Sequence, residues 1–110
     1  MLTGTLYMLQ RLTALLMAPL VIGHLVVMIY AVQGGLSVAE ILGRTQGSLA
    51  WFAFYGLFVV AVSIHAAIGL RAVSHELLGL RGAALNVLTW GLSLVLFMLG
   101  ARALWAVTFA

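Results

Sequence analysis

Two histidines, His24 and His65, lie inside long apolar stretches of this 110-residue sequence. An ionisable side chain at membrane depth is costly, so each is a candidate functional group. The sequence has no cysteine, and its two acidic residues fall outside the apolar stretches. Imidazole without thiolate or carboxylate favours an axial ligand of haem iron over a zinc site, which needs a tighter ligand cluster. The alternative is a neutral histidine that joins two helices by a hydrogen bond.

Three apolar runs must position these histidines, over residues 12–32, 49–72 and 83–107. Each run is long enough to cross the hydrocarbon core of a bilayer, which takes ~20 residues. Hydrophobic residues make up 65% of the sequence and charged residues 6%, too few polar residues to cover a core in water. An isolated span must be helical, because a helix satisfies its own backbone hydrogen bonds in lipid. The sequence therefore predicts an all-α integral membrane bundle of three transmembrane helices, a single domain over 1–110.

The direction of the spans places the two histidines at different depths. His24 lies in the later half of the first span, and His65 lies past the middle of the second, which runs the opposite way. At a rise of ~1.5 Å per residue, their depths should differ by ~10 Å. We therefore expect two separate centres or only one ligand, with a second subunit or a second copy supplying the missing ligands.

Residue spacing also predicts the inward faces of the spans and the form of the connections. The predicted stripes are Gln10, Thr13 or Ala14, Met17, Leu20, His24 and Met28 on span one, and Phe58, Ala61, His65, Gly69, Ala72 and Glu76 on span two. In the first connection, Ser37 stands three residues before Glu40, a capping-box spacing that predicts a short helix. His75 and Glu76 are expected on the surface, in the second connection.

The five arginines predict the orientation and supply further candidate site residues. Arg11, Arg71 and Arg81 fall at one end of the spans, and Arg44 and Arg102 at the other. This margin of three to two places the N-terminus in the cytoplasm by the positive-inside rule. The guanidinium of Arg11 or Arg71 could pair with a haem propionate or donate to a quinone carbonyl, or simply extend to the interface. Five scattered arginines without lysine do not form a nucleic-acid surface.

The segment 65–71 has a histidine, three residues, a glycine, one residue and an arginine, followed by Glu76. This pattern resembles the second-span motif of the membrane-anchor cytochrome b subunits of succinate dehydrogenase and fumarate reductase. In that family the histidine is an axial ligand of haem b, so the resemblance implies this role for His65. The family usually has a second histidine where this sequence has Ala72.

The start of the first span carries a second, looser resemblance. The segment 10–13 is similar to the family's His-Arg-x-Ser/Thr-Gly sequence, whose arginine lines the quinone site. The resemblance implies a quinone site formed by Arg11, Gln10 and Tyr7. Gln10 replaces the usual histidine, Ala14 replaces the glycine, and Tyr7 stands where a quinone-contacting serine is common. The site could therefore suit a different quinone.

The segment 23–27 around His24 resembles the two-haem, five-helix subunits of succinate:menaquinone and fumarate reductases. In those subunits the first-span histidine serves the distal haem and the second-span histidine the proximal one. The resemblance therefore implies one or two haem b groups, with iron held by His65 and, in the two-haem form, also by His24. The chain would be one half of a split anchor and would share its haem with a partner subunit.

We interpret the chain as a membrane-anchor cytochrome b subunit, itself non-catalytic, that passes electrons between an iron–sulfur subunit and membrane quinone. The resemblance implies an iron–sulfur subunit, a flavoprotein subunit and a second membrane-anchor subunit as partners, in the bacterial inner (cytoplasmic) membrane. Three alternatives stay open: the anchor of another b-type cytochrome oxidoreductase, a haem-free anchor that binds only quinone, and a cofactor-free small transporter or channel subunit. The last usually needs a carboxylate inside a span, whereas Glu40 and Glu76 fall at connections.

Overall fold

The computed structural model describes residues 3–109, and within that range it contains four α-helices. They are α1 (Gly4–Gly34), α2 (Val38–Thr45), α3 (Leu49–Leu78) and α4 (Gly82–Thr108). The three long helices, α1, α3 and α4, are each long and apolar enough to cross a membrane. No β-strand occurs among the described residues. The prediction of an all-α bundle with three membrane-spanning helices is therefore confirmed.

Two of the long helices extend well beyond the apolar runs. α1 begins at Gly4 because Thr3 caps it, its Oγ1 accepting a hydrogen bond from the backbone N–H of Leu6 at 3.2 Å. α3 continues to Leu78 and ends at Gly79, whose φ of 69° is the left-handed conformation that glycine adopts readily. Helix ends are thus fixed by caps, which hydrophobicity alone does not reveal.

The extension of α3 corrects one expectation from the sequence. His75 and Glu76 lie in the last turns of α3 and not in the connection that follows it. His75 is half-buried, and its Nδ1 lies 2.9 Å from the carbonyl oxygen of Leu80. This contact ties the ring to the turn between α3 and α4. Glu76 is exposed, as expected of a surface residue, so its place on the predicted inward stripe of span two was wrong.

The short helix predicted between the first two spans is present as α2. Ser37 Oγ accepts a hydrogen bond from the backbone N–H of Glu40 at 3.2 Å, which is the capping-box contact at the helix start. At the other end of α2, the Thr45 hydroxyl donates to the carbonyl oxygen of Val107 at 2.7 Å. Since Val107 belongs to the last turn of α4, α2 is fixed across that end of the bundle.

α3 lies between α1 and α4 and packs against both, whereas α1 and α4 make little contact with each other. The α1 face that meets α3 follows the predicted stripe, and of the two candidates near its start Thr13 is buried while Ala14 is exposed. Met28 was wrongly included, because it is 49% exposed and Val27 turns inward instead. The 100° step of an α-helix does not repeat after four residues, so the stripe drifts around α1.

A close approach of backbone and side chain joins α3 to α4. A methyl group at Gly100 would lie 2.6 Å from Val59 Cγ1, inside van der Waals contact. Glycine is therefore needed at this point for the two helices to pack at their present distance, as small residues often are between membrane helices.

We expect Gly100→Ala to lower the free energy of unfolding by about 1–3 kcal/mol, because the added methyl overpacks the α3–α4 contact. The measurement is the thermal midpoint of the purified complex. Gly91→Ala is the matched control on the same helix, because a methyl there meets no described atom within 4 Å. Adding Val59→Ala should restore much of the loss. Equal midpoints for the Gly100 and Gly91 variants would contradict the packing argument.

Candidate functional site

His65 faces α1, where Thr13 is its partner. His65 Nδ1 lies 3.1 Å from Thr13 Oγ1, and Thr13 is only 5% exposed. One turn further along α3, a methyl at Gly69 would lie 3.6 Å from Gln10 Nε2, so the space beside this glycine is occupied by a neighbouring helix. His65 therefore does join two helices through a hydrogen bond, as the alternative interpretation of the sequence expected.

That hydrogen bond uses one of the two ring nitrogens. Among the described residues His65 Nε2 has no hydrogen-bond partner, and it is not one of the fully buried atoms. Metal-bound histidines commonly hold the second ring nitrogen in a hydrogen bond that orients the ring. The arrangement at His65 fits an axial ligand, with Nδ1 anchored and Nε2 free to bind iron.

His24 lies towards the other end of the bundle, in aromatic surroundings. Its ring centroid is 6.1 Å from that of Tyr55 and 5.3 Å from that of Phe58, both in edge-on geometry. Neither of its ring nitrogens has a hydrogen-bond partner among the described residues. His24 also lines a cavity of about 310 Å³ between α1, α3 and α4, to which α2 contributes Ile41 and Thr45. Unlike His65, this histidine does not join helices by a hydrogen bond to any described residue.

The contacts also fix the relative depth of the two histidines. His65 is level with Thr13, and His24 follows Thr13 by eleven residues on the same helix. At ~1.5 Å of rise per residue, this spacing is ~16 Å along α1, while the seven-residue offset from Phe58, whose ring His24 contacts, to His65 is ~10 Å along α3. The two imidazoles therefore differ in depth by ~10–16 Å, which is consistent with the ~10 Å expected from the sequence. The two rings cannot bind one iron atom.

Arg71 is held inside the bundle by α4. Its Nη1 donates hydrogen bonds to Asn86 Oδ1 at 2.8 Å and to Thr89 Oγ1 at 3.2 Å. Its Nε is buried and has no partner among the described residues. The side chain therefore does not extend freely to the interface. Its Nη2, which is not fully buried and has no partner among the described residues, is the donor available to a ligand or to a partner chain. Asn86 and Thr89 were not among the predicted site residues, although two polar residues in the third apolar run were a visible signal.

Gln10 supplies a second unpaired polar atom at the same end of the bundle. Its Oε1 is buried and has no partner among the described residues, while its Nε2 lies beside Gly69. A buried polar group without a partner costs free energy, and both this oxygen and Arg71 Nε are enclosed by the chain's own helices. Gln10 and Arg71 thus each keep one polar atom without a partner among the described residues inside this end of the bundle.

Arg11 and Tyr7 form a separate pair on the outside of α1. Arg11 Nη1 donates to the Tyr7 hydroxyl at 3.1 Å, and the guanidinium carbon lies 5.6 Å from the centre of the Tyr7 ring. Both side chains are exposed, whereas Gln10 faces α3. The structure therefore divides the three residues predicted to bind quinone into an exposed pair and an inward glutamine.

The described residues bring no three histidine or acidic side chains together in a cluster that could hold a metal ion. His24 lies too far from His65 to bind the same iron atom, so a haem held by His65 would need any second ligand from outside the described part of this chain.

The fold and these side chains define a membrane-spanning helical protein whose central helix, α3, is hydrogen-bonded to both of its neighbours. The family model of the succinate dehydrogenase/fumarate reductase transmembrane subunit matches residues 1–104. The chain belongs to this family and is a membrane-anchor subunit of a succinate dehydrogenase or fumarate reductase complex. The transporter and the other cytochrome alternatives are therefore set aside. No curated protein and no solved structure gives a significant match.

Proposed function

We propose that this anchor subunit binds haem b through His65 and carries electrons between an iron–sulfur subunit and membrane quinone. The observation that supports the proposal most directly is the state of the His65 ring. Its Nδ1 is hydrogen-bonded to a neighbouring helix, and its Nε2 has no partner among the described residues. A ring with one nitrogen anchored and the other accessible is the arrangement that a histidine ligand requires.

In this proposal the protein positions the haem and the quinone and supplies charged side chains beside them. Haem, when bound, supplies reversible one-electron chemistry. His65 Nε2 would hold the iron, and Arg71 Nη2, which has no partner among the described residues and is not fully buried, would donate to a propionate or to a quinone carbonyl, as guanidinium groups do with such oxygens. A second membrane-anchor subunit would supply the remaining ligand. The iron–sulfur and flavoprotein subunits bind on the cytoplasmic side of the bacterial inner membrane.

The orientation in this proposal rests on the arginines and the helix order. α1 starts, and α3 ends, at the end of the bundle that carries Arg11, Arg71 and Arg81, while Arg44 and Arg102 lie towards the other end. The positive-inside rule then places the His65 end nearer the cytoplasm, beside the iron–sulfur subunit. His24 falls nearer the opposite surface.

We place the quinone site beside Arg11 and Tyr7. Their exposed guanidinium and phenol can donate hydrogen bonds to a quinone carbonyl that approaches α1 from the lipid or from a partner subunit. Gln10, the third residue predicted to bind quinone, faces α3 with its Oε1 buried and lies apart from this pair. The cavity at His24 supports a second haem at that end, with its remaining wall and ligand supplied by the partner.

We expect His65→Ala to remove the haem while the complex still assembles, because the iron loses an axial ligand. The measurement is a reduced-minus-oxidised absorbance spectrum of the purified complex. His75→Ala is the matched control, since His75 lies on the same helix and its Nδ1 contacts the Leu80 carbonyl. Unchanged haem content in the His65 variant would exclude it as a ligand, and a colourless wild-type complex would leave a haem-free anchor.

We expect His24→Ala to remove only a second haem and to leave the His65 haem spectrum intact, because the two rings lie ~10–16 Å apart along the helices. Haem is quantified per complex in the wild type and in the variant. One haem per complex in the wild type, unchanged in the variant, would return His24 to a packing role beside Phe58.

We expect Arg11→Leu to raise the KM for quinone about tenfold or more, which is the loss of one charge-assisted hydrogen bond of about 1.5 kcal/mol or more. Turnover of the dicarboxylate with a soluble electron acceptor should not change. Arg102→Leu serves as the control, because Arg102 is exposed at the other end of the bundle. An unchanged KM in the Arg11 variant would move the quinone site elsewhere.

A further inference from the structure

We propose that Thr13 is a positioning residue for His65. Its hydroxyl oxygen accepts a hydrogen bond from Nδ1–H and so fixes the neutral imidazole in the form whose lone pair is on Nε2. The inference rests on the proposed role of His65 as a ligand. It concerns the residue that prepares the ring, on a different helix from the ring itself.

The direction of this hydrogen bond depends on which acceptor takes the single proton of the Thr13 hydroxyl. Thr13 Oγ1 lies 2.8 Å from the carbonyl oxygen of Leu9 and 3.1 Å from that of Gln10. A carbonyl oxygen can only accept, and a hydroxyl has one proton to donate. The proton is therefore directed to the backbone, mainly to Leu9, and the Thr13 oxygen has only lone pairs to offer His65. The 3.1 Å contact is a hydrogen bond only if His65 Nδ1 carries the hydrogen.

The contact between Thr89 and Arg71 has the same arrangement, and there the direction of the hydrogen bond is certain. Thr89 is fully buried and donates its proton to the carbonyl oxygen of Leu85 at 2.8 Å. Its oxygen is also 3.2 Å from Arg71 Nη1, and a guanidinium can only donate. Thr89 thus returns its proton to its own helix and accepts from α3. Thr13 does the same on the other side of α3, with His65 in place of Arg71.

Burial protects the hydrogen bond between Thr13 and His65 from competition with water. Thr13 is 5% exposed, so water has little access to compete for the His65 hydrogen bond. A neutral imidazole has one N–H, and when that hydrogen is on Nδ1 the lone pair must be on Nε2. A hydrogen bond from Nδ1–H also fixes the ring plane and raises the basicity of Nε2. Thr13 therefore sets three properties of the ligand at once: its tautomer, its orientation and its donor strength.

The test compares Thr13→Val with Thr13→Ser in the whole complex. Valine keeps the branched shape of threonine and removes the hydroxyl, whereas serine keeps the hydroxyl and removes the methyl. Two quantities are measured for the haem that is lost in His65→Ala. One is the rate of haem transfer to excess apomyoglobin, and the other is the midpoint potential from a redox titration.

We expect Thr13→Val to weaken haem retention by about 10–100-fold, the usual effect of removing an outer hydrogen-bond partner of a ligating histidine. Its midpoint potential should rise, because a less basic imidazole stabilises ferric iron less. Thr13→Ser should stay close to the wild type in both measurements. If Thr13→Val does not accumulate, Thr13→Ala removes the same hydroxyl and is compared with serine in the same way.

Two results would overturn the inference while leaving His65 as the ligand. The first is a hydroxyl-free variant with wild-type retention and potential. The second is a serine variant as impaired as the valine variant, which would show that Thr13 acts by packing. If haem persists in His65→Ala, His65 is not a ligand, and both the proposed function and this inference are wrong.

Discussion

The polar contacts that α3 makes with its two neighbours follow from how hydroxyl groups behave in a dry interior. Four buried hydroxyls, on Thr13, Ser63, Thr89 and Thr108, each donate to the carbonyl oxygen four residues earlier on their own helix. A hydroxyl that has donated in this way can only accept from a neighbour. Wherever another helix meets such an oxygen, it must bring a donor, and α3 brings His65 and Arg71.

α3 therefore organises the molecule. Its two donors face opposite neighbours, because His65 contacts Thr13 on α1 and Arg71 contacts Thr89 and Asn86 on α4. α1 and α4 hardly touch each other, so their relative positions depend on α3. The proposed haem ligand and the proposed propionate or quinone donor are thus held by the same contacts that assemble the bundle.

The two ends of the bundle differ in chemistry. At the His65 end, polar side chains bridge the helices and leave unpaired atoms on Gln10 and Arg71. At the other end, His24 lies among aromatic rings beside a largely apolar cavity that α2 helps to close. A separation of ~10–16 Å between the histidines makes these two independent environments.

Several features could be predicted from the sequence, because they depend on local rules. The length of the apolar runs predicted three membrane helices, and the spacing of Ser37 and Glu40 predicted α2. The free-energy cost of burying an ionisable side chain in a membrane identified His24 and His65 as candidate functional residues. The partners of those residues could not be predicted in the same way. Spacing left Thr13 and Ala14 equivalent, and it did not indicate that Asn86 would meet Arg71. Helical periodicity defines a stripe on each helix, but the rotation and axial offset that bring two stripes together depend on packing between helices. That packing, set by contacts such as Gly100 against Val59, decided which atom each polar group meets.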